Sequence, residues 1–233
     1  MAASSFWQLE HEYYALAKPH DVIIRVVTYD MVAELEPALD GTVKQIQRRA
    51  ANKVHEFKCK RDTVMSNSFY LSRYLYQGDE TPKSDVVDLY EPEVNSLEVW
   101  LKLLHGCDVH STLTSTDLKG VWRVLATAYH YNFNPKSPAA KAWFESWFGA
   151  NTQKSETKWF DYRDFQALLY PCMLFDYAEG FRQATRYLAY RSIGDIKENK
   201  PDSIEEENLV LGTRVMRKSI STQTILMPAE SGS

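Results

Sequence analysis

Two histidines and a cysteine lie close together in the stretch LLHGCDVH, residues 103–110. Imidazole nitrogens and thiolate sulfurs are the usual ligands of structural zinc, which binds four of them in a tetrahedron. His105, Cys107 and His110 supply at most three such ligands. One hypothesis for the chain is therefore a metal-binding protein that uses His105, Cys107 and His110, with a fourth ligand contributed by another part of the fold.

The same stretch also fits a connection between two helices. The nearest other cysteines and histidine, which are Cys59, Cys172 and His130, belong to no second paired motif. Gly106 follows an apolar helical stripe, where a left-handed residue commonly ends a helix, and Asp108 is a frequent turn residue. We favour this interpretation, and we predict no bound metal and no cofactor.

Sequence motifs of catalysis are missing from the chain. The nucleophile elbow G-x-S-x-G, the phosphate loops G-x-x-x-x-G-K-[ST] and G-x-G-x-x-G, and the metalloprotease motif H-E-x-x-H do not occur. None of the three cysteines lies in a nucleophile motif of a known type. We therefore predict no catalytic residue and no enzyme.

Composition limits the classes of partner. The chain has 27 Lys and Arg, 31 Asp and Glu, and a net charge of −4, which gives no electrostatic reason to expect a nucleic acid. No run approaches the roughly 18 apolar residues of a membrane helix, so we expect no membrane partner. The N-terminus does not resemble a secretory signal, and an odd number of widely spaced cysteines fits reduced thiols. We expect an intracellular protein, cytoplasmic or nuclear.

Apolar spacing predicts a short helix and then a strand at the start of the chain. Apolar residues recur at helical intervals from Phe6 to Leu16, and Lys18-Pro19 ends the predicted helix. The run DVIIRVV, residues 21–27, is short, β-branched and almost continuously apolar, as expected of a buried strand.

A polar composition marks residues 28–53 as a surface insertion, which we predict to be partly helical around residues 42–51. Its acidic residues come first and its basic residues follow: Asp30, Glu34, Glu36 and Asp40, then Lys44, Arg48, Arg49 and Lys53. The basic group is either a recognition patch or one face of a solvated helix.

The rest of the chain predicts two more strands and several helices. The strands are VHEFKCK, residues 54–60, which alternates in the manner of a half-buried strand, and DVVDLYE, residues 85–91. Helices are expected over residues 63–76, 94–104 and 114–133, and again between 139 and 192, where Pro171 should bend or end one of them near Tyr170. Few strands and many helices, without regular alternation, predict an α+β fold.

Four segments, taken in order, resemble a BTB/POZ domain. DVIIRV (21–26) resembles the family's opening strand, and FKCKRDTVMSNSFYLSRYL (57–75) its next strand and helix. DVVDLYEPEVNSLEVWLKLLHG (85–106) resembles its third strand, turn and helix, and DLKGVWRVLATAYHYNF (117–133) the helix after that. With its aromatic C-terminal region, the chain is similar to the divergent BTB-domain proteins of filamentous fungi.

The chain departs from this family at three places. Lys60-Arg61 stands where the family has a His-Lys pair, so the histidine is missing. Leu71, after Ser68, stands where the family has a phenylalanine. The insertion at 28–53 replaces a tight turn between the first two strands.

The resemblance implies an α+β fold in which a small BTB/POZ-like sheet is covered by helices and followed by an all-helical C-terminal extension. The expected parts are an N-terminal helix (1–19), a BTB/POZ-like domain (20–135) with the insertion at about 28–53, a helical extension (136–196) and a polar, disordered tail (197–233). The tail has no convincing periodicity and a polar composition from about residue 197.

The resemblance also implies a protein–protein interaction module. BTB domains commonly homodimerise, and many bind cullin-type ubiquitin-ligase scaffolds or transcriptional corepressors. We therefore expect protein partners, a homodimer, and a role as a ubiquitin-ligase adaptor or transcription-related scaffold. In the family an aspartate and a basic pair form a charged pocket near the dimer interface, and the corresponding candidates here are Asp21, Lys60 and Arg61.

A third hypothesis makes the tail the functional part of a regulated scaffold. Arg217-Lys218-Ser219 places a serine after basic residues, a context that a kinase can recognise.

Overall fold

The computed structural model describes residues 9–37, 43–77, 81–82, 85–90, 93–152, 160–191, 196–202, 204 and 209. The chain divides into two compact units, Met1–Leu101 and Lys102–Ser233. This division comes earlier in the chain than residue 135, where the resemblance places the end of the BTB/POZ-like domain.

The first unit is built on a small sheet. Its strands are β1 (Glu10–Ala15), β2 (Val22–Pro37), β3 (Val43–Cys59), β4 (Tyr76–Gln77), β5 (Thr81–Pro82) and β6 (Val86–Tyr90). Four of them form one sheet in the order β1-β3-β2-β6, and β4 pairs with β5. β2 and β3 are antiparallel, whereas β1 is parallel to β3 and β6 is parallel to β2. The strands predicted at 21–27, 54–60 and 85–91 are therefore confirmed, and they belong to one sheet.

One face of this sheet, which we call the inner face, is buried. Val22, Ile24 and Val26 are at most 1% exposed along β2, and Phe57 and Cys59 lie opposite Ile24 and Val22 on β3 and are fully buried. Alternation with period two places these side chains on the same face. Full burial stabilises a side chain of this size by about 1.5–3 kcal/mol, so the inner face fixes the register of the hairpin.

Helices supply the rest of the core of the first unit. They are α1 (Arg61–Asn67), α2 (Phe69–Leu75) and most of α3 (Val94–Leu104). The predicted stripe of Val64, Ser68, Leu71 and Leu75 is buried, but it spans two helices. Ser68 has extended backbone, with φ −143° and ψ 105°, and its Oγ accepts from the Leu71 N–H at 3.0 Å. Ser68 therefore ends α1 and caps α2.

The predicted N-terminal helix is wrong in the part of 1–19 that the structure describes, because residues 10–15 form β1. Alternate residues from Glu12 to Leu16 are partly or fully buried, and the Tyr14 ring stacks on Phe57 with centroids 4.5 Å apart. A short apolar run satisfies a helical and a strand period almost equally well, and contact with β3 decides between them. Residues 1–8 lie outside the described residues.

The predicted helix around residues 42–51 is also wrong, since β3 runs as a strand from Val43 to Cys59. Good helix formers such as Gln47, Arg48 and Ala50 are overridden by pairing, because residues 43–51 lie opposite residues 29–37 of β2. We call these two segments the hairpin arm. β1 runs beside β3 only at residues 53–58, and β6 beside β2 only at residues 23–27, so the arm extends beyond both neighbours.

A β-bulge joins the hairpin arm to the rest of the sheet. Thr28 pairs with Lys53 whereas Tyr29 pairs with Ala51, which leaves Asn52 as the extra residue. The Thr28 hydroxyl donates to Asn52 Oδ1 at 2.6 Å. One extra residue inverts the alternation of β3, so odd-numbered residues of both strands share a face within the arm.

Helices are the secondary-structure elements of the second unit in the part that the structure describes. Its helices are α4 (His110–Ser115), α5 (Leu118–Tyr131), α6 (Pro138–Thr152), α7 (Tyr162–Leu174) and α8 (Ala178–Arg191). Asp117 caps α5 by accepting from the Gly120 N–H at 2.7 Å, and Asp161 caps α7 in a reciprocal capping box with Asp164. The helices predicted between 139 and 192 are confirmed, while α7 continues through Pro171 to Leu174 instead of ending near Tyr170.

Indole N–H groups join the helices of the second unit. Trp143 Nε1 donates to Thr112 Oγ1 at 3.0 Å, and Trp147 Nε1 donates to the Thr116 carbonyl at 2.7 Å. Both tryptophans are at most 2% exposed. A buried indole needs a hydrogen-bond partner, so these contacts fix α6 against the α4 segment.

Only part of the predicted tail is described. Residues 196–202 form no helix or strand, and most of 197–233, including Arg217-Lys218-Ser219, lies outside the described residues. Ile204 and Leu209 are 4% and 2% exposed, so the chain is packed at these two positions. None of the helices that the structure describes is long and apolar enough to cross a membrane.

Candidate interaction site

Asp21 and Arg61, two of the charged residues that the resemblance implies, are in contact. Asp21 lies just before β2, and Arg61 is the first residue of α1. The Arg61 backbone N–H donates to Asp21 Oδ1 at 2.6 Å, and the Arg61 guanidinium donates to the Asp21 carbonyl oxygen at 3.3 Å. The first N–H groups of a helix have no partner within it, so the Asp21 carboxylate caps α1 from outside the helix.

The Arg61 guanidinium also reaches Asp85, just before β6. Nη2 of Arg61 lies 2.8 Å from Asp85 Oδ1, and the Arg61 side chain is 12% exposed whereas that of Asp85 is 85% exposed. The Ile23 N–H donates to the Asp85 carbonyl oxygen at 2.7 Å. Arg61 therefore ties together the beginnings of β2, α1 and β6.

Lys60, the third candidate, is the N-cap residue of α1 and has an exposed side chain. The structure thus brings Asp21 and Arg61 into direct contact and places Lys60 next to them in the chain. The largely buried guanidinium of Arg61 holds the local structure, while Lys60 and Asp85 present charges of both signs at the surface. A surface that carries charges of both signs can form ion pairs with complementary charges of a protein partner.

A second polar cluster lies between β1 and β3, and sequence reasoning missed it. Glu12 accepts hydrogen bonds from the Tyr14 hydroxyl, at 2.8 Å, and from Lys53 Nζ. The parallel register sets Glu12 opposite His55, which is 8% exposed. His55 Nδ1 lies 3.1 Å from Glu12 Oε2, close enough for an ion pair but not aligned as a hydrogen bond.

Burial and charge shift the pKa values within this cluster. The hydrogen bonds from Lys53 and Tyr14 lower the pKa of Glu12, and the bond to Glu12 raises the pKa of Lys53. Burial lowers the pKa of His55 against the attraction of Glu12, and burial together with the bond to Glu12 raises the pKa of Tyr14. The cluster therefore favours an ionised Glu12–Lys53 pair beside a neutral His55, and it fastens β1 to β3.

The sequence did carry a signal for this cluster. In EHEYYAL, residues 10–16, the side chains of Glu12, Tyr14 and Leu16 recur with period two, and they are the more buried set. Helical spacing of the larger apolar residues in the same stretch concealed the alternation. Lys53 belongs to the basic group of residues 28–53, and its partner Glu12 is far away in the chain.

The stretch LLHGCDVH forms the turn between α3 and α4. Gly106 has a φ of 62°, the left-handed conformation that the sequence predicts. Its N–H donates to the Leu103 carbonyl at 3.3 Å, and the Cys107 N–H donates to the Lys102 carbonyl at 2.9 Å. These two bonds form a Schellman motif, which satisfies the last carbonyl groups of α3.

The candidate metal ligands are not gathered into a site. His105 and Cys107 are half-buried, and His110 is exposed at the first position of α4. Within the described part of the chain, no group of three or more His, Cys, Asp or Glu side chains is arranged to hold a metal ion. The metal hypothesis gains no support from these residues.

The hairpin arm has two different faces, because directly opposite residues of an antiparallel pair lie on the same side. One face carries Tyr29, Met31 and Ala33 of β2 with Gln47, Arg49 and Ala51 of β3. Met31 is 58% exposed, and the Arg49 guanidinium lies 5.9 Å from the centroid of the Tyr29 ring. The other face carries Asp30, Val32 and Glu34 with Ile46, Arg48 and Ala50.

Charges in the hairpin arm are separated by strand. The described acidic side chains, Asp30 and Glu34, are on β2, and the basic ones, Lys44, Arg48 and Arg49, are on β3. Arg48 Nε lies 3.3 Å from Glu34 Oε2, and both side chains are more than half exposed. The arm is thus a solvated hairpin with one acidic and one basic edge.

Comparison of the chain with protein-family models, with curated proteins and with solved structures gives no match.

Proposed function

We propose that the chain is a protein–protein interaction module built on a BTB/POZ-type scaffold. The observation that carries the proposal is the path of the chain through the first unit. The hairpin of β2 and β3 is followed by α1 and α2, then β6 returns parallel to β2, and α3 follows. This is the order of strands and helices that the first three resembling segments imply.

Register within the sheet supports the same proposal. Ile24 of β2 lies opposite Phe57 of β3 and beside Val87 of β6, and all three side chains are at most 4% exposed. Residues from segments that are separate in the sequence thus meet at one point of the inner face. A chance resemblance of short segments would not predict that they share a register.

The charged groups around Arg61 are the part of the module that we propose for partner contact. Asp21 and Arg61 are in contact, and Asp85 and Lys60 are exposed beside them. We propose a role as a ubiquitin-ligase adaptor that binds a cullin-type scaffold, or as a transcription-related scaffold. All three cysteines are thiols, which supports a reducing, intracellular compartment for this role.

Isothermal titration calorimetry of the full chain with the N-terminal domain of a cullin from the same cells tests the adaptor role. We expect a dissociation constant in the micromolar range or below, weakened at least about tenfold by Lys60→Glu combined with Asp85→Lys. Binding that is absent for the wild-type chain would remove the cullin part of the proposal. Affinity capture of partners with the tagged full chain from its own cells tests the interaction module itself.

A further inference from the structure

We propose that the hairpin arm is a self-association surface, in which the acidic β2 edge of one copy pairs with the basic β3 edge of another. This inference deepens the proposed function by naming a surface through which copies of the chain bind one another. It concerns a segment that stands in the place of the family's tight turn, and it is independent of the groups around Arg61.

The first support is the position of the arm relative to the other strands. β1 lies beside β3 only at residues 53–58, and β6 lies beside β2 only at residues 23–27. The arm continues past both for residues 29–37 and 43–51, roughly 30 Å at the usual rise of a strand. Among the residues that the structure describes, no other strand lies beside the arm, so its backbone presents hydrogen-bonding groups at both edges, which is the template for adding a further strand.

The second support is the sign of charge on each edge. The described charged side chains of the arm are Asp30 and Glu34 on β2, and Lys44, Arg48 and Arg49 on β3. Two copies that paired through the same edge would bring acidic residues beside acidic ones, or basic beside basic. Like charges directly across a strand pair are destabilising, so symmetric pairing of identical edges is disfavoured.

Pairing of unlike edges has the opposite electrostatics. Asp30 and Glu34 of one copy would lie beside Lys44, Arg48 and Arg49 of the next copy. The internal contact of Arg48 with Glu34 is compatible with this, because both side chains are more than half exposed and each carboxylate can accept more than one hydrogen bond. The arm therefore contains both halves of a complementary pair, and a second copy is the partner that fits both edges.

The geometry predicts how the assembly grows. Pairing of unlike edges is heterologous, so each added copy leaves one acidic edge and one basic edge for the next. Association should therefore rise with concentration without stopping at a dimer, and it should weaken with salt because the paired charges are exposed. The face with Tyr29 and Met31 would continue from one copy to the next.

Charge reversal on one edge at a time tests the inference in the full chain. A variant with a basic β2 edge, Asp30→Lys with Glu34→Lys, and a variant with an acidic β3 edge, Lys44→Glu with Arg48→Glu and Arg49→Glu, each lose edge complementarity. We expect light scattering to give a mass above 26.9 kDa that rises with concentration for the wild-type chain, and a mass that does not rise with concentration for each variant alone. An equimolar mixture of the two variants should associate again, because the acidic edges of one variant fit the basic edges of the other.

A variant with all five reversals is the matched control. It exchanges the sign of the described charged side chains on the two edges but keeps their complementarity and the internal pairing of the arm, so it should associate as the wild-type chain does. A wild-type chain whose mass stays at 26.9 kDa, or at twice that value, at all concentrations overturns the inference. So do single-edge variants that associate like the wild-type chain, or a mixture that fails to associate. None of these results bears on binding of other proteins, so failure of the inference is distinguishable from failure of the proposed function.

Discussion

The indole N–H of Trp122 donates to the carbonyl oxygen of Ala167 at 2.9 Å. In a regular helix this carbonyl would accept from the N–H of residue 171, but residue 171 is a proline and has no N–H. Trp122, on α5, thus supplies from another helix the hydrogen bond that Pro171 removes. This contact explains why α7 continues to Leu174 although a proline lies inside it.

Trp122→Phe should show that α7 depends on the hydrogen bond from the Trp122 indole. The phenyl ring keeps most of the apolar contact but leaves the buried carbonyl of Ala167 without its donor, so we expect a loss of about 1–3 kcal/mol in the free energy of unfolding. In a Pro171→Ala background the new N–H at position 171 can donate to Ala167, and the same substitution should cost clearly less. The wild-type chain, the two single variants and the double variant form a double-mutant cycle, and urea unfolding of all four measures the coupling free energy between positions 122 and 171. Equal costs of Trp122→Phe in both backgrounds would contradict the account.

Asp21→Ala should destabilise the first unit through the start of α1. The Asp21 carboxylate accepts the Arg61 backbone N–H at 2.6 Å, and loss of a cap of this kind costs about 1 kcal/mol. Asp21→Asn keeps an acceptor oxygen and should cost less. Urea unfolding monitored by circular dichroism compares the two variants, and equal destabilisation by both would show that charge, not capping, is what Asp21 contributes.

Two glycine substitutions should have opposite signs. Gly106 has a φ of 62° and a Cβ built on it meets nothing within 4 Å, so Gly106→Ala should cost about 1 kcal/mol from backbone strain alone. A Cβ on Gly149, inside α6, also meets nothing within 4 Å, and Gly149→Ala should stabilise by about 0.5–1 kcal/mol. Thermal unfolding distinguishes the signs, and stabilisation by Gly106→Ala would contradict the turn that we describe.

Stability should fall as pH decreases from neutrality, partly through His55. Burial lowers the pKa of His55 below its usual 6.5, so the unfolded chain takes up this proton at a higher pH than the folded chain. The contribution is present above pH 6.5 and is lost as pH falls through the lowered value. Below about pH 4.5, the lowered pKa of Glu12 adds a second loss of the same sign.

His55→Gln should make the unfolding free energy less dependent on pH between neutrality and about pH 5. Tyr14→Phe is the control, because it removes the hydrogen bond to Glu12 and should shift the curve by a similar amount at each pH. Urea midpoints across this range provide the measurement. Curves of the wild-type chain and His55→Gln that stay parallel would show that His55 does not titrate as described.

Zinc should neither co-purify with the chain nor stabilise it. His105 and Cys107 lie in the turn between α3 and α4, and His110 begins α4, so we expect less than about 0.1 equivalent of zinc, since structural zinc binds tightly. A triple variant, His105→Ala, Cys107→Ser and His110→Ala, should show the same melting temperature with and without added zinc. Stoichiometric zinc that is lost in this variant would instead establish a metal site.

The sequence predicts the inner face of the sheet well because only this face of the strands is buried, so apolar residues recur along them in a regular pattern. Ile24 and Phe57 belong to short runs with strong β-branched or alternating patterns, and both are fully buried in the strands predicted for them. The turn at Gly106 was also predictable from local sequence, since a glycine that follows the apolar stripe of a helix commonly takes the left-handed conformation and ends the helix.

Elements whose structure depends on distant partners were not predictable in this way. Tyr14 has helical spacing to its neighbours, but its ring packs on Phe57 and its strand pairs with β3. Arg48 lies in a run of good helix formers, and its conformation is set by β2 on the other side of the hairpin. The contact of Trp122 with Ala167 joins residues that are 45 positions apart, so the sequence around Pro171 could not show that α7 continues past it.

The central claim is that the chain binds other proteins through a folded first unit, and capture from its own cells tests this most directly. The full chain would be tagged, expressed at its natural level, cross-linked and purified, beside an Ile24→Asp bait in which a charge is forced onto the fully buried inner face. The account predicts that one or more proteins are recovered in amounts close to that of the wild-type bait, with cross-links to residues of Met1–Leu101, and that they are lost with Ile24→Asp. Recovery of the wild-type bait alone, or of the same proteins with both baits, would contradict it.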